Sequence, residues 1–495
     1  MSMPPRGVAA SLCVSLVLSG CAVGPDFLRP EAPATDSYTA GPLPVQTASA
    51  AGETPQRFAV DRDIPGEWWA LFRSAALDAL VREALRANPN LAVAQAALRQ
   101  AQEMRKAGEG AFFPLVQGGF SASRNKTPTG TLTPAASNNN PYYNLFTGQL
   151  GVSYAPDVFG GTRRTVEGLL AQEEAQRFQL EATYLTLTSG LVAAAIGEAE
   201  LRDQIAAIEE IIRTQRESLD ILRRQKVLGQ AAGADVAAQE AALAQAEAML
   251  PPLQKQLAQQ RDLLAVLVGR LPSDQPNVRF DLASLQLPQE LPVSLPSRLV
   301  EQRPDIRAAE ENLHAASAAI GVAIANMLPQ ISLTGNYGLS ALMIGGLFGP
   351  GTAFWTIAAG ATQTIFDGGT LLHKKRAADA AFDEAAAQYK ATVLAAFQNV
   401  ADSLEALKSD AEALAAAVRA EAAAKTSLDI AKRQLALGAV NYLALLNAEQ
   451  TYEQAVVNRV QAQAARFADT AALFQALGGG WWNRDDIVAV NGGSK

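Results

Sequence analysis

Two periodicities of apolar residues alternate along this chain of 495 residues. One is the seam of a coiled coil, in which apolar side chains recur at intervals of three and four residues. This spacing is found in one series of residues after Thr162: Leu201, Ile205, Ile208, Ile212, Leu219 and Leu222, with Gln215 at the one polar core position. A helix from Thr162 to Gly229 would span roughly 100 Å at about 1.5 Å per residue. The pattern therefore predicts a rod.

A returning helix continues this seam. Its core positions are apolar: Leu243, Ala246, Leu250, Leu253, Leu257, Leu264 and Leu267. Pro251 and Pro252 lie inside the series, and a proline in a helix interior removes a hydrogen bond and clashes with the preceding turn. We therefore expect one helix to end at this pair and another to begin there.

The other periodicity is the two-residue alternation of a strand with one apolar and one polar face. Four segments have it, near Val116–Ser123, Phe146–Tyr154, Ile331–Ser340 and Trp355–Thr364. Each has about the 9 to 11 residues that a tilted membrane strand needs, although strands of a soluble sandwich alternate in the same way. The loops inside the two pairs, Asn125–Asn144 and Ala341–Phe354, contain Asn, Thr, Gly and Pro, as extracellular loops do.

The chain also contains an internal repeat, which bears directly on its architecture. Pro89 and Pro114 have counterparts at Pro304 and Pro329 with one constant spacing, and Gly229 has a counterpart at Gly438. Each half is predicted to be a helix, two strands, a very long helix and a returning helix. We place the first repeat at 75–270, the second at 297–477, a surface linker rich in proline and leucine at 271–296, and a C-terminal tail at 478–495.

The N-terminus has the pattern of a bacterial lipoprotein. Arg6 precedes an apolar run from Val8 to Leu18 that is too short to cross a bilayer as a helix, which is typical of a secretory signal peptide at 1–20. Ser19 and Gly20 before Cys21 resemble a lipobox, so we expect an acylated Cys21 followed by an extended, lipid-anchored segment at 21–74. Ala22 favours the outer membrane, because lipoproteins kept in the inner membrane often carry Asp there.

The composition limits which partners, metal sites and catalytic sites the chain can have. The net charge is −8, which argues against nucleic acid as a partner. The two histidines, His314 and His373, are far apart and belong to no Cys/His cluster, so we predict no metal site, no cofactor beyond the lipid on Cys21 and no catalysis. We expect packing or surface roles for both. Trp68-Trp69 and Trp481-Trp482 are predicted to pack the chain ends, with anchoring at a membrane interface as the alternative.

After the signal peptide, no run of 18 consecutive apolar residues remains. A membrane crossing would therefore have to use strands, and an open sheet edge is not tolerated in lipid. The smallest membrane barrels have eight strands, so four strands cannot close one. Several chains would have to share a barrel, and these arguments leave open eight strands from two chains or twelve from three.

Several motifs together resemble the TolC-type outer-membrane factors, and most closely their lipidated, NodT-like branch. The matching segments are Val23-Gly24-Pro25-Asp26-Phe27, Trp68-Trp69-Ala70-Leu71-Phe72, Arg303–Glu310, Pro329–Gly335 and Ile365–Gly369. The resemblance implies a mainly α protein with a β-barrel part: a homotrimer with a shared twelve-stranded barrel, continuous with a helical coiled-coil periplasmic tunnel. It also implies a passive exit duct whose partners are a periplasmic adaptor and an inner-membrane resistance-nodulation-division pump.

The resemblance also implies a gate where each pair of long helices turns back, at Gly229–Val236 and Gly438–Asn447. Asp235 matches an acidic family position, and Leu443 matches an apolar constriction. The chain departs from the family at four further positions, where it has Val440, Ala444, Asn447 and Gln450 in place of frequent charged residues. These departures remove charged residues that would form the acidic ring and its basic latch, and ordinary helix-turn roles are the alternative.

A basic cluster follows the strands in both halves: Arg163 and Arg164 in the first, and Lys374, Lys375 and Arg376, next to His373, in the second. We expect contacts with lipid phosphates at the periplasmic face, where cations are favoured, or else simply solvated helix starts. The rival to the exit duct is a lipid-anchored coiled-coil scaffold or adhesin without a pore. Conductance in a planar bilayer separates the two, whereas the sequence does not identify the exported substrates.

Overall fold

The computed structural model describes residues 22–50, 54–128 and 141–484. Cys21 and the predicted signal peptide lie outside these residues, as do most of the first strand-connecting loop and the end of the C-terminal tail. The helices are α1 Ala75–Ala87, α2 Pro89–Glu109, α3 Gly161–Val227, α4 Gly233–Val268, α5 Pro296–Gln302, α6 Pro304–Ala325, α7 Thr370–Ala436 and α8 Tyr442–Ala476. The strands are β1 Arg57–Val60, β2 Leu115–Lys126, β3 Tyr142–Tyr154, β4 Glu290–Val293, β5 Gln330–Ala341 and β6 Ala353–Thr362.

The chain divides into two units. The first comprises Met1–Pro30, Ala97–Gln176 and Ala309–Tyr389, and it contains the larger sheet with the helix segments next to it. The second comprises Glu31–Ala96, Arg177–Ala308 and Lys390–Lys495, and it contains most of the four long helices. Helices α3 and α7 each have 67 residues, and α4 and α8 have 36 and 35. Matching lengths are what two copies of one unit would have; the duplication itself stays a prediction.

The larger sheet consists of the four segments whose alternation predicts strands. Its order is β2-β3-β5-β6 and every neighbouring pair is antiparallel, so β2 and β6 form its two edges. The order follows the chain. Strands β2 and β3 form one hairpin and β5 and β6 form another, and the chain passes from β3 to β5 through helices α3 to α6.

The predicted helix break at Pro251-Pro252 is wrong. Helix α4 runs from Gly233 to Val268 with both prolines inside it. Both rings are exposed, so the carbonyls of Glu247 and Ala248, which lose their helical donors, lie on the side of the helix that water can reach. Leu250 and Leu253, on either side of the pair, pack against the buried cluster around Ile208 and Ile212. This packing stabilises a continuous helix against the local cost of proline.

The predicted linker, 271–296, contributes more than a surface connection. Its strand β4 pairs in parallel with β1 of the N-terminal segment, with Phe58 opposite Leu291. Phe280, Leu282 and Leu291 are fully or almost fully buried. The prolines and leucines of this segment therefore serve a local core, which the composition alone did not indicate.

Among the described helices, α3 contains an 18-residue window whose composition would suit a membrane span. Half of that window is buried inside the protein, which is also what the core helix of a soluble assembly shows.

Candidate channel wall, anchor and gate

The register of the larger sheet collects the apolar residues of all four strands on one face. Residues directly opposite each other share a face, and Val116, Val152, Gly335 and Ile357 form one such row. The next row contains Gly118, Leu150, Tyr337 and Trp355. The large apolar side chains of this face are nonetheless exposed in the protomer, and Ile357 is 81% exposed.

The opposite face is mainly polar. One of its rows contains Gln117, Gly151, Asn336 and Thr356, and another brings Thr147 opposite Ser340 with their hydroxyl oxygens 3.3 Å apart. Phe354, on the edge strand β6, is an apolar residue on this polar face. A sheet that is wet on one face and apolar on the other fits a boundary between water and an apolar medium.

The exposed apolar face is energetically costly in water. Burying one large aliphatic or aromatic side chain is worth about 1.5–3 kcal/mol, and eight such side chains are exposed here: Val116, Phe120, Leu150, Val152, Leu333, Tyr337, Trp355 and Ile357. A contiguous patch of this kind marks a surface that another phase or partner covers.

The first described residues bind where strand β3 passes into helix α3. The Val23 amide donates to the Phe159 carbonyl at 3.0 Å. Ala22 lies against Gly160, where an added Cβ would come within 2.5 Å of the Ala22 Cα. Only glycine permits so close an approach of two backbones at a positive φ, here +77°. The chain next to Cys21 is thereby fixed to the end of the sheet.

Side chains continue this attachment. Asp26 binds the guanidinium of Arg164 at 2.6 Å, and the Phe27 ring stacks on His314 with 4.4 Å between ring centroids. Arg29 binds Glu310 at 2.8 Å. The Val23–Phe27 motif is therefore a docking segment, and the expected packing role of His314 is confirmed.

The basic cluster is not uniform. Arg164 is only 5% exposed, and its guanidinium binds Asp26 and Glu167, so in this conformation it has no free surface for a lipid phosphate. Arg163 binds Asp157 at 3.3 Å, and Lys375 binds Asp379 at 2.8 Å. The side chains of Arg163, Lys374 and Arg376 are exposed, and that of Lys375 is half-buried.

Two aspartates that sequence reasoning missed begin the long helices. Asp157 accepts from the Thr162 and Arg163 amides at 2.9 Å each. Asp367 accepts from the Leu371 amide at 2.7 Å and from the Gly369 amide at 2.8 Å, and these hydrogen bonds, that from Leu371 foremost, lower the pKa of its carboxyl. Both are capping residues, and the Asp-x-x-Gly-Gly and Asp-Gly-Gly patterns before each helix were the available signal.

The two predicted gate turns have matching geometry. Gly229 and Gly438 both have φ +71°, the left-handed conformation that ends a helix. Asp235 accepts from the Ala232 amide at 3.3 Å, as a helix-capping residue does. Leu443 and Asn447 are exposed. Their neighbours bring the turns together, because Val236 and Tyr442 pack in one cluster, which is completed by Leu219, Leu222, Leu428, Ala431 and Leu445.

A buried chain of polar groups, which we call the tip network, lies beside this cluster. The Tyr442 hydroxyl donates to the Gln239 side-chain oxygen at 2.6 Å. Gln239 donates to the backbone carbonyl of Gln215 at 3.0 Å, and Gln215 donates to Glu453 at 2.7 Å. Gln215 was visible in the sequence as a polar core position, but its partners lie on other helices.

Glu449 is a further buried carboxyl near the tip network, at 4% exposure. Burial raises its pKa to about 7, with Lys432 opposing the shift and Glu453 adding to it. The end of the helix pairs therefore contains a group that titrates near neutral pH.

Comparison with known proteins decides the family. Residues 80–270 and 295–479 match the outer membrane efflux protein family. The chain belongs to this family. It is 30% identical over 483 residues to the probable efflux pump outer membrane protein TtgC of Pseudomonas putida, covering 96% of each chain. It is 28% identical to the outer membrane protein OprJ of Pseudomonas aeruginosa, covering 100% of both.

Solved structures agree with this assignment. The outer-membrane channel OprN superposes with a TM-score of 0.82 at 28% identity, covering 93% of this chain and 100% of OprN. The efflux protein described here is thus an outer-membrane component of an efflux system, and its resemblance to TolC-type channels is confirmed. Its place in the lipidated branch remains a prediction.

Both tryptophan pairs of the efflux protein are structural. Trp68 is buried and stacks on Phe474 with 5.4 Å between ring centroids. The Trp481 indole donates to the Gln302 carbonyl at 2.6 Å, and the Trp482 indole donates to Asp63 at 3.0 Å. The predicted packing of the chain ends is confirmed, and their burial and internal bonds leave Trp68 and Trp481 unsuited to a membrane interface.

Proposed function

We propose that three copies of this chain form a gated exit duct, anchored by a lipid on Cys21, which conducts substrates passively from a periplasmic adaptor and an inner-membrane resistance-nodulation-division pump to the cell exterior. The observation that carries the proposal is the register of the larger sheet, which gathers the apolar side chains of four strands on one exposed face. The outer membrane supplies the medium for that face.

The two open edges of the sheet support barrel closure. Strands β2 and β6 end the described sheet, and unpaired backbone groups in hydrocarbon cost several kcal/mol each. Pairing β6 of one copy with β2 of the next satisfies both edges. Three copies give twelve strands, the number that the family resemblance implies, whereas two give the minimum of eight. The apolar face then meets lipid, and the polar face lines the pore.

The lipid anchor fits the docked N-terminal segment. Cys21 directly precedes Ala22, which lies against Gly160 at the end of the β3 hairpin. An acyl chain on Cys21 would therefore start beside the periplasmic rim of the barrel. We assign contact with lipid phosphates at that rim to Arg163, Lys374, Lys375 and Arg376. Arg164 is removed from this set, because its guanidinium is buried as well as paired with Asp26 and Glu167.

The gate is assigned to the two turns. Exposed Leu443 and Asn447 are available to meet their copies around a three-fold axis, whereas Asp235 is engaged in capping its own helix. Closure would then rest on apolar contact and on neutral hydrogen bonds worth about 0.5–1.5 kcal/mol each. No carboxylate ring is needed for it.

The stoichiometry tests this proposal directly. The mass of the purified complex in detergent should correspond to three chains, and a monodisperse monomer would refute the shared barrel. Growth with a radioactive fatty acid should label the wild type and not Cys21→Ser. Label retained in that variant would overturn the lipid assignment without touching the barrel.

A further inference from the structure

The loop between β5 and β6 is unusually apolar for a strand connection at the outer end of a barrel. From Ala315 to Phe366 the chain has no Asp, Glu, Lys, Arg or His. Within the loop, Leu342, Met343, Ile344 and Phe348 are exposed, Phe348 to 86%. The sequence interpretation of 341–354 used its Thr, Gly and Pro residues and did not consider this apolar part, which the composition of Asn125–Asn144 in the other hairpin does not share.

Internal hydrogen bonds hold the loop in a fixed shape. The Gly346 amide donates to the Met343 carbonyl at 3.0 Å, and the Gly349 amide donates to the Gly346 carbonyl at 2.9 Å. The Thr352 hydroxyl lies 2.8 Å from the Leu347 carbonyl oxygen. The exposed side chains are thus presented by an ordered turn and not by a loose segment.

The loop bends toward the apolar face of the sheet. Leu347 is only 6% exposed, and its methyl group lies 3.9 Å from the position that a Cβ on Gly148 would take. Gly148 lies in the row of Phe120 and Leu339 on the apolar face. Leu347 therefore packs over Gly148 at ordinary van der Waals distance from this face.

The first hairpin ends differently at the same end of the sheet. Its apolar face stops at Ala122 and Phe146, and the next row pairs Arg124 with Asn144. Lys126 follows, with its ammonium 5.5 Å from the centroid of the Tyr142 ring. These side chains suit water or lipid headgroups, whereas the Leu342–Phe348 loop at the other hairpin suits neither.

We propose that the Leu342–Phe348 loop lies within the hydrocarbon of the outer leaflet, flat against the outside of the barrel wall, where Met343, Ile344 and Phe348 contact acyl chains. This inference rests on the proposed barrel, because it extends the lipid-facing surface beyond the strands. Continuity argues for lipid as the occupant: Leu347 joins the loop to the same face that contains Ile357 and Trp355. Polar lumen residues lie on the other face of the sheet.

Spin labels test the placement. Phe348→Cys, Ile357→Cys and Lys126→Cys are each labelled in the full-length protein, in proteoliposomes of phosphatidylethanolamine and phosphatidylglycerol. Collision with oxygen reports hydrocarbon, and collision with a water-soluble nickel complex reports water. We expect the label at 348 to match that at 357, with high oxygen and low nickel accessibility, and the label at 126 to be nickel-accessible.

Each other outcome has a distinct meaning. High nickel accessibility at 348 with a lipid-exposed 357 places the loop in water and overturns the inference while the barrel stands. Low accessibility to both reagents at 348 means that protein, such as a second copy of the chain, covers the loop, which also overturns it. Water exposure at 357 would instead refute the proposed barrel. If a cysteine at 348 prevents assembly, Met343→Cys gives the same readout from the same turn.

Discussion

The sheet and the helix tips of this protein use apolar residues in opposite ways. In the sheet, side chains such as Ile357 and Trp355 lie on one face and are exposed in a single protomer. At the tips, Leu219, Val236 and Tyr442 point inward and are buried among the four long helices of the same protomer. The tips thus build their own core, whereas the apolar face of the sheet is left uncovered by its own protomer, and in the proposed duct a membrane and further copies complete it.

This contrast separates assembly from gating. A sheet with open edges and an uncovered face has no stable form as an isolated inserted chain. The tip has a complete apolar core, but it also buries Gln215, Gln239 and Glu449, and buried polar groups are costly unless they are fully paired. We therefore expect substitutions in the sheet to abolish assembly and substitutions at the tip to shift the gate.

The largest effect should come from reversing the outward face. Ile357→Arg puts a charge toward lipid, at a cost of about 2–4 kcal/mol per chain near the bilayer midplane. Thr356→Arg is the matched control, because it is the preceding residue of the same strand and lies on the polar face. The membrane fraction should lose trimer for the first variant and keep it for the second. Equal loss in both would break the distinction between the two faces.

Raising the pH should weaken the tip. The pKa of Glu449 is raised from 4.5 to about 7 in the folded tip, so the folded state binds the proton more tightly than the unfolded state. Its contribution to the free energy of unfolding is complete below pH 4.5 and is lost as the pH rises to about 7, on the order of 3 kcal/mol. Hydrogen exchange at the tip, corrected for intrinsic rates, should show this slope. Glu449→Gln should reduce the slope, leaving the part due to Glu453, whose pKa burial also raises, and the exposed Glu217→Gln should leave it unchanged.

A smaller effect is expected from restoring a charged ring. With Asn447, the wild-type channel should be only weakly blocked by trivalent cations, because three close carboxylates are what would bind them. Asn447→Asp should lower the blocking concentration about tenfold, equivalent to about 1.4 kcal/mol. Strong block of the wild type that this substitution leaves unchanged would place the constriction elsewhere.

The smallest effect concerns the rim. Lys374→Glu should reduce the phospholipid that co-purifies with the trimer, since one cation near an anionic surface is worth about 1 kcal/mol. Lys408→Glu, on a distant part of α7, is the control. Equal lipid content in both variants would argue for a merely solvated helix start at Lys374.

The sequence predicted those features that depend on local period. Alternation located all four strands of the larger sheet, and the coiled-coil seam located the long helices. The sequence did not predict long-range contacts. No local sequence pattern indicates that Asp26 pairs with Arg164, or that Tyr442 forms a hydrogen bond with Gln239. The helix break predicted at Pro251-Pro252 was wrong because packing of the flanking leucines outweighs the local tendency of proline to end a helix. The apolar character of the loop beside Gly148 was missed because only its Thr, Gly and Pro residues were used to predict an extracellular loop.

Conductance is the most direct test of the central claim that the sheet is one third of a pore wall. Purified wild-type trimer added to a planar lipid bilayer should produce discrete current steps, and so should Thr356→Arg, while Ile357→Arg should produce none. A correctly sized trimer that inserts into the bilayer and never conducts would contradict the account, and would leave a lipid-anchored scaffold or adhesin as the better description.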